Sequence, residues 1–429
     1  MKSDNNQNII SFSNFAKINP FRKIPNGKEV KFVSMEDVEA GRKFVTRYSI
    51  REFKGGSKFR NGDTLMARIT PSLEHGKTAF VNFLNEGEVG GGSTEFIVLS
   101  NREGVSLSEY VYYLAISSII REPAIKSMSG TSGRQRVDPD IFEQIQVPAP
   151  DLDEQQAIVK ILSDLDEKIE LNNQMNKTLE DIAQAIFKRW FIDFEFPNEN
   201  GEPYKSSGGE MVESELGMIP MGWYVDNLGK YVEVVKGCSY SSIDLKPSDT
   251  ALVTLKSINR GGGFNRNGYK EYVGKYKDNQ IVKEGDILLA QTDLTQNGDV
   301  IGRPAFFHGE TTYSKVIASL DLQIIRHLNG FSKYFVFYLL DTDSFHEHAL
   351  SHTNGTTVLH LDRNAVSEFR CIIPKNDILD QFDAVVSQIL SLENNNLQEI
   401  NYLTEIRDLL LPKLMTGKIR IPLEEQNVE

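Results

Sequence analysis

Gly62-Asp63-Thr64-Leu65-Met66-Ala67-Arg68 returns 223 residues later as Gly285-Asp286-Ile287-Leu288-Leu289-Ala290-Gln291. The echo continues outward from this pair. Ser108-Glu109-Tyr110-Val111-Tyr112-Tyr113-Leu114 returns as Ser332-Lys333-Tyr334-Phe335-Val336-Phe337-Tyr338. Gly130-Thr131 returns as Gly355-Thr356, and Val147-Pro148-Ala149-Pro150 as Ile373-Pro374-Lys375-Asn376, so the offset drifts only from 223 to 226 residues. Stacked-repeat proteins have periods of roughly 20–50 residues. A period this much longer means two copies of a whole domain, and the drift marks small insertions within them. Such a molecule suits reading two different things at a fixed separation.

The chain has 429 residues, room for two or three domains, and its 40% hydrophobic content supports real cores. Cys238 and Cys371 are too few and too far apart for a disulfide framework, which points to a reducing cytoplasm. The N-terminus, MKSDNNQNII, has no apolar core of a signal peptide. The longest apolar run, Tyr110 to Ile120, falls short of the roughly 20 residues a spanning helix needs. The expectation is a soluble, cytoplasmic protein with no membrane partner. The net charge of −13 is unevenly spread: residues 1–150 carry +3, 151–230 carry −10, 231–374 carry −1 and 375–429 carry −5. Acid therefore gathers in two segments, and the remainder is near neutral, leaving room for a local basic face.

Each half starts with short runs rich in Val, Ile, Phe and Tyr, such as Lys31-Phe32-Val33-Ser34-Met35 and Leu252-Val253-Thr254-Leu255. Loops at Gly90-Gly91-Gly92 and Gly261-Gly262-Gly263 punctuate them. One helix per half is expected near 108–119 and 332–345, then a glycine-threonine loop and a strand ending in proline: a mostly β, α+β domain. From Asp153 the period becomes helical. Ile158, Leu162, Leu165, Ile169, Asn172, Asn176, Leu179, Ala183, Ile186 and Trp190 alternate steps of four and three. Ile378, Phe382, Val385, Ile389, Leu392, Asn396, Glu399, Leu403, Ile406 and Leu410 do the same. These are coiled-coil seams, two long helices that can pair antiparallel. At about 1.5 Å per residue, Ile158 to Ile186 makes a rod of roughly 43 Å. Asn172, Asn176 and Asn396 interrupt the seams, and an asparagine there commonly fixes register. Pro412 is expected to end the second helix, and 198–222, rich in Gly, Glu, Pro and Ser, reads as a linker.

Catalytic motifs are missing. Gly76-Lys77-Thr78 ends like a phosphate-binding loop, but Pro71 stands where its first glycine belongs. No dinucleotide fingerprint accompanies the glycine triplets, and no Asn-Pro-Pro-Tyr or Asp-Pro-Pro-Tyr segment marks an adenine methyltransferase. His346, His348 and His352 lack a cysteine or well-spaced carboxylate, so no metal site is expected. Cys238 and Cys371 read as small buried hydrophobes. The loops carry the chemistry instead. Arg68, Thr70, Lys77, Ser132, Arg134 and Arg136 in the first half, and Gln291, Asn297, Lys315, Asn354, Thr356 and Thr357 in the second, are candidate DNA contacts. Arginine reads guanine and Asn or Gln reads adenine, while lysine and hydroxyls hold phosphates. Equivalent loops share a frame but differ in side chains. Turn residues chosen for backbone reasons would explain the glycines and threonines equally well.

These features together resemble the specificity subunit of type I restriction-modification systems. The resemblance rests on Val147-Pro148-Ala149-Pro150 with Glu154-Gln155-Gln156-Ala157-Ile158, on Lys188-Arg189-Trp190-Phe191-Ile192-Asp193-Phe194, on Gly217-Met218-Ile219-Pro220-Met221-Gly222-Trp223, and on Leu410-Leu411-Pro412-Lys413-Leu414-Met415-Thr416-Gly417. The usual tryptophan-containing lead-in is absent from the N-terminus. The resemblance implies target-recognition domains at 1–150 and 223–375, a spacer helix at 151–196 that docks a methyltransferase, a linker at 197–222, and a second such helix with tail at 376–429. It implies a non-catalytic subunit that reads a bipartite, asymmetric site on double-stranded DNA and joins two modification subunits and ATP-driven restriction subunits. S-adenosylmethionine, ATP and magnesium would sit in those partners, with no cofactor in this chain. A protein-binding adaptor with duplicated domains and a stand-alone DNA-modifying enzyme are the alternatives.

Overall fold

The computed structural model describes residues 8–131, 133–259, 262–293, 298–309, 312–355 and 358–422. The chain divides into two compact units, one of residues 1–174 with 396–429, the other of 175–395. The central helix, Leu152–Phe187, and the C-terminal helix, Asn376–Met415, each contribute to both.

In the first unit an antiparallel sheet has the order Ala16–Ile18, Phe96–Asn101, Thr64–Ala67, Thr78–Phe80. A second sheet runs Ser49–Glu52, Glu29–Val33, Gly90–Gly92, Ser57–Phe59. In the second unit the main sheet is Val232–Lys236, Leu322–His327, Ile287–Ala290, Pro304–Phe306. The repeat read from sequence is thus a repeat of register: Thr64 pairs with Leu99 and Phe80, and Ile287 with Ile325 and Phe306.

Several local expectations are corrected. The strands expected at 31–35 and 252–255 lie two residues earlier, at Glu29–Val33 and Thr250–Val253. In each, a hydroxyl residue stops the strand and opens a short 3-10 turn. Ser34 does so with its amide donating to Asp37 Oδ2 at 2.7 Å, and Thr254 with its hydroxyl accepting from Lys256 N at 3.3 Å. The one helix per half is two: Ser108–Ile116 and Ser118–Lys126, then Lys333–Leu340 and Asp343–Ser351. Thr342 makes the second break by capping Phe345 N. Gly90-Gly91-Gly92, expected as a loop, is a buried strand. A side chain at Gly90 would put its Cβ 2.4 Å from the Phe59 ring, and one at Gly91 would sit 2.8 Å from Phe53. Glycine is there for close packing, not for a turn.

Residues 198–222 form more than a linker. Met211–Ser214 pairs with Gly217–Pro220, and Ile219 is buried with Phe191, Phe194, Phe196 and Trp223 in the second unit's core. Phe196 stacks on Trp223 at 5.0 Å and on Tyr204 at 4.5 Å.

The long helices pair antiparallel within the first unit: Asp166 meets Arg407, and six residues on, Asn172 meets Glu399. Ile158, Leu162, Ile169 and Asn172 are buried as the seam predicts. In the C-terminal helix, Val385, Leu392 and Ile406, expected inside, are exposed; Val386 and Arg407 are buried one position on, and Leu390 is buried rather than Leu392. A helix turning every 3.6 residues drifts against a 3.5-residue pattern, so the buried face leaves the expected seam. Pro412 lies inside this helix. It removes only one donor in the last turn, and its carbonyl accepts from the Thr416 amide at 3.2 Å and hydroxyl at 2.6 Å.

Candidate nucleic-acid interface

In the first unit the two loops singled out by sequence meet. Thr70 N donates to Gln135 O at 3.0 Å, and Gln135 N donates to Thr70 Oγ1 at 3.0 Å. Ser129 pairs with Arg136, closing the glycine-rich segment as a small hairpin. Arg136 forms a bidentate pair with Glu95, with Nε 3.0 Å from each carboxylate oxygen and Nη2 at 2.6 Å from one. That contact, made first through hydrogen bonds and then through charge, keeps the Glu95 carboxyl below its usual range. The free edge of Arg136 donates to Arg134 O at 3.4 Å. Arg136 therefore shapes the hairpin, and Arg134 projects from it, exposed and without a side-chain partner among the described residues. Arg68 and Lys77 turn inward: Arg68 Nη2 donates to Val137 O at 3.0 Å and Lys77 Nζ to Met35 O at 2.7 Å. Burial lowers the Lys77 ammonium below the usual lysine value despite nearby Glu36, Glu39 and Asp37. Thr70 is buried, and Ser132 lies outside the described residues.

The second unit repeats the frame. Leu361 N donates to Gln291 O at 2.9 Å, Thr292 pairs with His360, and His360 with Asn354. Gln291 is half-buried, with its Oε1 unpartnered, and Asn354 is exposed. Asp293 accepts from Val300 N at 2.7 Å and Ile301 N at 3.1 Å. Lys315 stands apart on another sheet, donating to the Tyr276 hydroxyl at 3.2 Å. Asn297, Thr356 and Thr357 lie outside the described residues.

Sequence reasoning missed Arg303. Ala67 N donates to Lys77 O and Ala290 N donates to Arg303 O, which makes Arg303 the counterpart of Lys77. The signal was present, since Gly76-Lys77 and Gly302-Arg303 differ by the same 226 residues as the strands that follow them, Thr78–Phe80 and Pro304–Phe306. Its guanidinium lies near Asp341 and His346, and its Nε has no hydrogen-bond partner.

Residues 13–212 match the family described as "Type I restriction modification DNA specificity domain". The chain is 27% identical to the type I restriction enzyme HindI specificity subunit of Haemophilus influenzae, over 93% of this chain and 95% of that one. It is 28% identical to the MjaIX specificity subunit of Methanocaldococcus jannaschii, over 75% and 71%. The fold is shared with a crystal structure of a type I restriction-modification system S subunit from M. genitalium, with a TM-score of 0.50, 15% identity, and 97% and 98% coverage. Residues 13–212 thus carry the type I restriction-modification DNA specificity domain.

Motifs that carried the family resemblance have structural work to do. Gln155, fully buried at the start of the central helix, accepts from Leu107 N at 2.9 Å and donates to Val105 O and Pro150 O, both at 2.9 Å. It ties the helix to the recognition domain it follows. Asn172 donates to Glu399 Oε2 at 2.8 Å, and Glu399 also pairs with Lys168 at 3.2 Å. In the second unit Asn176 donates to Glu393 O at 3.4 Å. Asn396 is half-buried and bonded. Among the described residues, no helix is long and apolar enough to cross a membrane, and no three His, Cys, Asp or Glu side chains are grouped to hold a metal ion.

Proposed function

We propose that this chain is the non-catalytic DNA-reading subunit of a type I restriction-modification complex, each recognition domain reading one half of a bipartite, asymmetric site. The observation that carries this reading is the repeated frame with different contents. A hairpin presenting Arg134 in one unit corresponds to a strand pair presenting Asn354 in the other, beside the half-buried Gln291. Arginine pairs bidentately with guanine, and the amides with adenine, so two unlike half-sites are the natural targets. The long helices set the spacing of the half-sites and dock two modification subunits, with restriction subunits joining the larger complex. Apolar side chains left exposed on these helices support docking. In the first unit they are Leu171, Tyr402, Ile406 and Leu409, and in the second Met175, Ile182, Val385 and Leu392. S-adenosylmethionine, ATP and magnesium belong to the partners in this reading.

The test is methylome sequencing in cells expressing this chain with its modification subunit. Methylated adenines should fall in one two-part motif with a fixed gap, and exchange of residues 1–150 should change one half only. A soluble complex that leaves no motif would favour an adaptor role. At finer grain, Arg134→Ala should cost about 1–3 kcal/mol of discrimination at one base pair. Binding of competitor DNA to the same complex should change little, and an equal loss on every sequence would remove Arg134 from base reading.

A further inference from the structure

The first unit has a cleft of about 600 Å³ lined by Phe32, Arg51, Glu52, Lys54, Gly55 and Thr94. We propose that this cleft is a phosphate site, gripping a DNA backbone phosphate next to the base read by Arg134. The proposal rests on the DNA-reading function above and adds to it a sequence-independent anchor.

Two cations face the cleft without counter-ions. Several cations of this unit are ion-paired, as in Arg22 with Asp63, Lys31 with Glu88 and Arg42 with Glu170, and these two are not. Arg51 and Lys54 are exposed and have no carboxylate partner among the described residues. The Arg51 guanidinium carbon lies over the Phe32 ring, 3.3 Å from its centroid. That contact holds the group in place and leaves its N–H groups for bidentate phosphate contact. Gly55 has φ +144° and a Cβ built on it would meet nothing within 4 Å, so backbone alone forms that wall. Thr94 adds a hydroxyl. Glu52 opposes an anion least where it lies, with Oε1 turned over the Gly27 turn, 3.6 Å from the position of a Gly27 Cβ.

The position is as telling as the composition. Thr94 precedes Glu95, and Glu95 holds Arg136, which shapes the hairpin carrying Arg134. Anchor and reader are thus linked through one covalent neighbour and one ion pair. Residues 17–60 supply the field, with twelve basic and five acidic side chains in a chain of net charge −13.

The full chain, co-purified with its modification subunit, is titrated with a duplex holding the methylated motif and with a scrambled duplex, across a range of KCl. Arg51→Gln with Lys54→Gln should weaken both duplexes by the same factor, about 10- to 30-fold near 0.15 M salt. The slope of log K against log salt should become shallower by about 1.8, two contacts at roughly 0.9 each. Both side chains are exposed, and an unchanged melting temperature would exclude unfolding. An unchanged slope in a variant whose wild type binds would overturn the phosphate site alone. Failure of the wild type to bind either duplex would overturn the DNA-reading function instead. Inorganic phosphate is the second probe: binding that the double variant abolishes and DNA competes supports the proposal. Binding of phosphate that DNA does not displace would assign the cleft to a free anion and refute the backbone contact.

Discussion

Replacing Arg407 by alanine should lower the stability of the first unit by about 3–5 kcal/mol. Arg407 is 5% exposed and Asp166 3%, and they meet at 2.8 Å in the seam between the two long helices. The guanidinium also donates to Gly41 O at 3.0 Å, and Asp166 Oδ2 accepts from the Tyr113 hydroxyl at 2.7 Å. Without Arg407 the carboxylate keeps only that hydroxyl in a dry site. The cost is that of an uncompensated buried charge, not the net worth of the pair. Two companion results separate those quantities. Arg407→Met with Asp166→Leu should recover most of the loss, because apolar side chains of similar volume need no counter-ion. Asp166→Leu alone should cost a similar amount, because it leaves the guanidinium as the unpaired buried charge. Calorimetric melting of the three proteins checks the argument, and a loss below about 1 kcal/mol for Arg407→Ala would refute it.

Glu393→Gln should do the opposite and stabilise the second unit at pH 8, by something on the order of 2–3 kcal/mol. Burial, reinforced by the neighbouring Glu180 carboxylate, pushes Glu393 up to about 7. In the unfolded chain the same group ionises near 4.5. Between those values the folded state binds more protons than the unfolded one, so its contribution is complete below about 4.5 and lost as pH rises through 7. Glutamine keeps the shape without the charge. Melting curves of variant and wild type should therefore separate at pH 8 and converge toward pH 4.5, whereas a gap constant with pH would mean that glutamine acts through packing alone. Asp341 and Asp383, each raised to about 6 mainly by burial, act in the same direction. The unsubstituted second unit should itself be firmer near pH 5 than near pH 8.

Arg407 and Asp166 also show where reading a sequence runs out. The repeat was legible because strand register is copied with the residues that make it, and the seam was legible because apolar spacing marks a helix face. A buried ion pair is invisible to that test. Each partner looks like a solvated charge until the other is known, and 241 residues separate them. The same limit hid Gly90-Gly91-Gly92, whose glycines answer to Phe59 and Phe53 rather than to a turn. At the candidate interface, residue type singled out loops but could not give the direction of their side chains. Arg68 and Lys77 turn back onto carbonyls, a choice made by local packing. Arg134 stays outward because Arg136 has already taken Glu95.

The division of the chain has a consequence for its synthesis. The first unit needs residues 396–429, and its core includes Leu411, Leu414 and Met415 beside Phe12 and Leu162. Residues 175–395 must leave the ribosome before those side chains exist. At about 5–20 residues per second, that is a wait of roughly 10–45 seconds. The domain begun first is finished last, with Leu162 and Ile158 waiting for their cover. A premature stop near residue 395 would therefore injure the beginning of the protein more than the middle.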